Sequence, residues 1–141
     1  MKGKSLVYAA PTSGGKTMVA ELVMIRQILA KQKKCLFVLP YISLVDQKAH
    51  DLERKLGCLA IVVRAFHGGT QANFESVDVA VATIEKANSL LNNLIHDNRL
   101  DDLCLVVVDE LHMIGKIICE KCIEYIQVPQ CTFYVCKVWS L

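Results

Sequence analysis

The feature that most restricts the fold is a rhythm of short apolar runs separated by stretches of helical length. SLVYAA (5–10), CLFVL (35–39), LAIVV (59–63), VDVAVAT (77–83) and LCLVVVD (103–109) are apolar on both faces and rich in Val and Ile, which suits the buried strands of a parallel sheet. KTMVAELVMIRQILAK (16–31), SLVDQKAHDLERKL (43–56) and IEKANSLLNNLIHD (84–97) lie between them with helical length and composition. Strand alternating with helix predicts an α/β domain with right-handed crossovers, a mostly parallel sheet and helices on both of its faces. At 141 residues, 53% hydrophobic and 21% charged, the chain has apolar material for one sizeable core and the length of one domain.

The first strand-to-helix connection carries the most chemistry. Ala10, Pro11, Thr12, Ser13, Gly14, Gly15, Lys16 and Thr17 fit the phosphate-loop pattern G-x-x-x-x-G-K-[ST] except at Ala10. Small residues there let backbone N–H groups surround phosphate oxygens at a helix N-terminus whose dipole favours negative charge. Lys16 would reach the β- and γ-phosphates, and the Thr17 hydroxyl would bind Mg²⁺. A plain Ser-Gly-Gly turn would use the same residues; the strand before and the helix after favour the ligand.

A second site is expected where LCLVVVDELHMIG places Asp109 and Glu110 at the carboxyl end of a buried strand, the edge at which ligands bind in open α/β sheets. With Mg²⁺ held by Thr17 and Asp109, Glu110 is placed to orient or deprotonate an attacking water, the chemistry of nucleoside triphosphate hydrolysis. Acidic residues also complement a helix N-terminus, and the phosphate loop upstream is what favours the metal site. A single His is more often structural than catalytic, and His112 is singled out by its place in D-E-L-H.

APTSGGKT, LPYISLVDQK, VATIEKANSLLN and VVVDELHMIG stand in this order, and together they resemble superfamily 2 DNA helicases, within them the polymerase-theta type and its repair-helicase relatives. The resemblance implies the N-terminal member of two RecA-like domains, a phosphate-loop NTPase fold that uses ATP and Mg²⁺ to move on DNA, single-stranded or in repair intermediates, in the nucleus. It implies nucleotide contacts from Gly14, Gly15, Lys16 and Thr17, and an acidic box at Asp109 and Glu110. His112 is implied to couple nucleotide state to DNA, and Ser43, Thr83, Glu85 and Lys86 to contact the DNA backbone. Loops and helix caps would use the same residue types, as with Thr83 before IEKANSLL.

The likeness runs from about Lys2 to Gly115, which sets the expected organisation: residues 1–115 as a partial RecA-like ATP-binding domain and 116–141 as a cysteine-rich tail. In that tail Cys119, Cys122, Cys131 and Cys136 are spaced C-x2-C-x8-C-x4-C, which departs from the paired spacing of a four-thiolate zinc site, so a tail unrelated to the family is expected instead. The family's second RecA-like domain and its arginine-bearing motif do not follow within these residues, so the resemblance implies half a motor, inactive alone. A small phosphate-loop kinase is one rival, weakened by four Arg residues (Arg26, Arg54, Arg64 and Arg99) that do not cluster. A non-enzymatic fragment that binds nucleotide or partners weakly is the other.

Net charge is +2 but uneven: residues 1–56 hold ten Lys and Arg against four Asp and Glu, and residues 57–141 hold six against ten. That polarity leaves room for a polyanion near the first half, although a solvated helix end at Lys31, Lys33 and Lys34 accounts for much of it. Seven cysteines, an odd number without an export leader, predict reduced thiols. No stretch approaches the roughly 20 unbroken apolar residues of a membrane span, and an intracellular protein is expected.

Overall fold

A computed structural model describes residues 6–9, 15–69, 74–109 and 132–137, of which 6–9, Lys16 and 132–137 are described by backbone alone. In chain order the elements are β1 (Leu6–Ala9), α1 (Lys16–Lys31), β2 (Lys34–Leu39), α2 (Ile42–Leu56), β3 (Val63–Phe66), β4 (Val79–Thr83), α3 (Ile84–His96), β5 (Leu103–Val108) and β6 (Thr132–Lys137). The strands form one six-stranded sheet in the order β1-β6-β5-β2-β4-β3, and every neighbouring pair is parallel.

Burial explains why apolar runs became strands. Every residue of β4 and β5 is buried, as is β2 beyond Lys34, because helices cover both faces. On one face Ala20, Met24 and Ile28 of α1 and Val45, Ala49 and Leu52 of α2 pack over Phe37, Val81 and Leu105. On the other, Ala87, Leu91 and Leu94 of α3 pack over Leu36, Ala80 and Val106. The buried positions of α2, Val45, Ala49, Leu52 and Leu56, recur at helical spacing and make one apolar stripe. The route from β1 through β2 to β3 crosses the sheet one way and that from β4 to β5 crosses back, so right-handed connections put α3 opposite α1 and α2. The expected α/β sandwich with a parallel sheet is therefore the observed one.

Two elements differ from the sequence reading. The run LAIVV was expected to be a strand at 59–63, but residues Gly57–Leu59 form a 3-10 turn, Ala60 takes a positive φ of 56°, and β3 begins at Val63. The chain is docked just before the strand, where Val62 N–H donates to Asp78 Oδ2 at 2.8 Å and Val62 O accepts from Asp78 N at 2.9 Å. As the edge of the sheet, β3 tolerates the exposed Arg64, which bonds Glu53 at 3.0 Å and hides the strand from an apolar-run criterion. The second difference is β6, which lies within the stretch read as a tail and sits in the sheet between β1 and β5.

The expected boundary at Gly115 lies outside the described residues, as do Cys119, Cys122 and Cys131. Among the residues described with side chains, Cys58 and Cys104 are free thiols, and the buried Cys35 and Cys104 bring their Sγ atoms to 3.6 Å. No helix among the described residues is long and apolar enough to cross a membrane.

Candidate functional site

In an all-parallel sheet the carboxyl ends of the strands share one edge, and α1, α2 and α3 start there. The start of α1 is marked by Gly15, whose φ of 69° and ψ of 17° lie in the left-handed region. A Cβ there would meet Met18 Cε at an ordinary 3.9 Å, so the demand for glycine is conformational and not steric. Gly15 O accepts from Val19 N at 3.1 Å, while no side chain caps the helix and no acidic residue occupies its first turn. The helix dipole favours negative charge at the first N–H groups of α1.

Thr17 opens α1 half-buried, and Asp109 follows the last residue of β5, its N–H donating to Val38 O at 3.1 Å. β1 and β5 flank β6, so their carboxyl ends lie about 10 Å apart, two strand spacings. A hydroxyl and a carboxylate are hard oxygen donors, and together with a helix start that no side chain caps they are a donor set of the kind that suits Mg²⁺ and a polyphosphate. Beside Asp109 a cleft of 450 Å³ runs along α2 past Lys48, His50, Asp51 and Arg54. Of the other residues expected here, Ala10, Pro11, Thr12, Ser13, Gly14, Glu110 and His112 lie outside the described residues, and Lys16 is placed at the first position of α1 as backbone.

One turn beyond Thr17, Glu21 is only 8% exposed, and sequence reasoning passed it over. A buried carboxylate persists when paired, and Glu21 forms an ion pair with Lys48 and another with Lys55 at 3.2 Å. The Lys48 Nζ also lies 5.1 Å from the Phe37 ring centre, and Lys55 reaches Asp51 at 2.6 Å. The hydrogen bond from Lys55 holds the Asp51 carboxyl below its usual range, and the same bond raises the Lys55 ammonium. These pairs tie α1 to α2. The visible signal was a lone Glu in the apolar run MVAELVM.

A second cavity, of 780 Å³, opens along the same edge and gathers Ser43 of α2, Thr83 at the end of β4, and Glu85 and Lys86 of α3. All four residues expected to contact a nucleic-acid backbone thus line one space. It lies where α2 and α3 begin: Tyr41 and Thr83 are their N-caps, both extended, and neither uses its side chain as a cap. Thr83 is 5% exposed and lines the cavity with its hydroxyl unspent on α3. Gly68, at a φ of 51°, adds a further wall that sequence reasoning missed, although the HGG turn at 67–69 pointed to a special backbone. Beside it His67 meets Asp46 of α2 at 2.7 Å. Glu85 complements the dipole of α3 but offsets the positive charge of Lys86.

The DEAD/DEAH box helicase family matches residues 1–134. The chain is 47% identical to mouse (Mus musculus) DNA polymerase theta over 117 residues, covering 82% of this chain and 5% of that protein. It is 44% identical to the human (Homo sapiens) protein called Helicase POLQ-like over 119 residues, 80% of this chain and 11% of that one. With the ATP-dependent DNA helicase Hel308 of Thermococcus kodakarensis it shares 34% identity over 118 residues, 82% of this chain and 10% of that one. The chain therefore spans between 5% and 11% of the length of these relatives. The family match takes in nearly the whole chain, the parallel sheet flanked by helices agrees with it, and this chain belongs to the DEAD/DEAH box helicase family.

Proposed function

We propose that these residues form the ATP-binding half of an ATP-dependent DNA helicase that acts in DNA repair in the nucleus. The observation that carries the reading is the left-handed Gly15 at the uncapped start of α1, on the same sheet edge as Asp109 and as the cavity holding Ser43, Thr83, Glu85 and Lys86. Lys16 binds the β- and γ-phosphates, and the loop from Ala10 to Gly15 supplies backbone N–H groups. Thr17 and Asp109 hold Mg²⁺, which when bound neutralises charge on the phosphates. Glu110 orients the attacking water and takes its proton, and His112 links the nucleotide site to the DNA track.

Taken alone, the 141 residues bind Mg-ATP weakly and hydrolyse it little. Phosphoryl transfer needs positive charge opposite the phosphate loop, and an arginine supplied from across the site adds roughly 10³ to 10⁵ in rate in related NTPases. In this family that arginine belongs to a second RecA-like domain. The test is a steady-state phosphate-release assay on the purified chain with single-stranded DNA, beside Lys16→Ala to exclude contaminating ATPases. Turnover near background is expected; robust DNA-stimulated turnover that disappears in Lys16→Ala would refute the half-motor reading.

A further inference from the structure

The start of β5 departs from regular pairing. Lys34 stands opposite Leu103 and Cys35 opposite Leu105, so one step along β2 spans two along β5, and Cys104 is the extra residue of a bulge. In a regular strand Cys104 and Leu105 would face opposite sides of the sheet. Here both lie in the core packed by α1 and α2, on the face of Cys35, while Leu103 and Val106 lie in the core packed by α3. The bulge therefore turns Cys104 onto Cys35, and two sulfurs 69 residues apart in the chain come to 3.6 Å. The pair stands one residue in from the strand ends, where Cys104 Sγ also lies 3.3 Å from Lys34 O. The hydrogen bond with Cys35 holds the Cys104 thiol below its usual range, with Lys31 and Lys33 helping, although burial opposes it. Neighbouring strands run about 4.8 Å apart, within the roughly 4.4–6.8 Å between Cα atoms that a disulfide bridges. Closing the 3.6 Å gap to a bond of about 2.05 Å asks about 0.8 Å of each sulfur.

We propose that Cys35 and Cys104 form a redox-modification site, at which hydrogen peroxide oxidises the pair to a disulfide that pins β2 to β5. The Cys104 thiolate attacks one peroxide oxygen; an S–O bond forms, the O–O bond breaks, and the other oxygen leaves as water with the thiol proton. The Cys35 sulfur then attacks the Cys104 sulfenic acid at sulfur. The S–S bond forms, the S–O bond breaks, and a second water carries off the Cys35 proton. Two electrons pass from the sulfurs to the peroxide, and a dithiol reductant returns them. Both side chains are buried, so the peroxide, little larger than water, enters when the first residues of β2 and β5 fray. The cross-link joins positions 69 residues apart and restricts the unfolded chain, so the oxidised protein melts higher than the reduced one.

The experiment treats the folded 141-residue chain with hydrogen peroxide, unfolds it in an alkylating agent without reductant, and weighs the tryptic peptides. Trypsin releases Cys35 in CLFVLPYISLVDQK and Cys104 in LDDLCLVVVDELHMIGK. The expected product is these two peptides joined, lighter by two hydrogens than their sum and separated again by dithiothreitol. Thermal melts should show the oxidised chain higher than the reduced one by roughly 10 °C. Cys35→Ala and Cys104→Ala each keep the other six cysteines, exposed Cys58 among them, and should melt alike with and without peroxide. Should either variant fail to fold, the wild-type peptide map and melts decide alone. Alkylation of both Cys35 and Cys104 after peroxide, with no joined peptide, would overturn the proposal and leave two thiols that merely pack. A joined peptide that leaves the melting temperature unchanged would overturn it too, because the bond would then not pin the strands.

Discussion

The start of α1 and the starts of α2 and α3 share one sheet edge and one device, uncapped helix N–H groups, yet they are built differently. At α1 the N-cap is a glycine in the left-handed region with no acid in the first turn; at α2 and α3 the N-caps are extended Tyr41 and Thr83, and Glu85 sits in the first turn of α3. A left-handed residue ahead of a helix folds the chain back so that successive N–H groups converge, which suits a compact, highly charged polyphosphate. Extended caps leave the N–H groups of two helices spread along a wide cavity, and the Glu85 carboxylate opposes negative charge there. Helix dipoles alone do not distinguish the two regions. Backbone conformation at the cap and the charge of the first turn do.

The strongest way to break the comparison is to cut the link between the two regions. Glu21→Gln leaves the ammonium of Lys48 largely buried without its carboxylate, which should cost about 3 kcal/mol, the low end for such a loss. The melting temperature should fall by roughly 10 °C. The double variant Glu21→Leu with Lys48→Met removes both charges and should recover most of it. If the single variant melts like the wild type, the pair does not hold α1 against α2.

The two left-handed glycines sharpen the contrast. Gly15→Ala and Gly68→Ala each force a Cβ into positive φ, at a cost of about 1–2 kcal/mol, and neither Cβ meets a neighbour closer than ordinary contact. Gly15→Ala should weaken Mg-ATP and spare single-stranded DNA, and Gly68→Ala should do the reverse, as read in parallel titrations. Equal effects on both ligands would merge the two sites into one.

Smaller again is Glu85→Gln. Removing this carboxylate from the first turn of α3 should lower stability by about 0.3–1 kcal/mol while tightening single-stranded DNA binding. A weaker complex in a fluorescence-anisotropy titration would show that Glu85 bonds the ligand instead of repelling it.

The smallest effect belongs to the Asp51–Lys55 pair on α2, at 2.6 Å. An exposed helical pair at this spacing is worth about 0.3–0.5 kcal/mol. Because the Asp51 carboxyl is held below its usual range of about 4, its contribution persists above that pH and is lost as pH falls through the lowered value. Because Lys55 is raised, its contribution is complete below about pH 10.4 and is lost as pH climbs past the raised value. Melting temperatures of Asp51→Asn and wild type should therefore differ slightly at neutral pH and converge in acid; a gap that widens in acid would contradict this assignment.

The sheet was legible where strands are buried on both faces, as in VDVAVAT and LCLVVVD, since nothing but a central strand accommodates such runs at that length. It was misread where position in the sheet overrides composition, since β3 is an edge strand carrying Arg64; β6, in TFYVCK, lies in a stretch to which no structure was assigned and pairs with β1 and β5. Ser43, Thr83, Glu85 and Lys86 were named from motif likeness, and their convergence on one cavity follows from two helices starting at the same edge. Glu21 and Gly68 were not named. Their significance lies in what stands opposite them across the fold, which a linear pattern does not contain.

The central claim is that the start of α1 is a phosphate site, and titration of fluorescent Mg-ATP into the 141-residue chain and its Lys16→Ala variant tests it most directly. A charged hydrogen bond to phosphate contributes roughly 1.5–3 kcal/mol, so Lys16→Ala should weaken binding by about tenfold to a hundredfold while the melting temperature of the unliganded chain stays unchanged. Equal affinity of the two proteins for Mg-ATP, with both folded, would contradict the account.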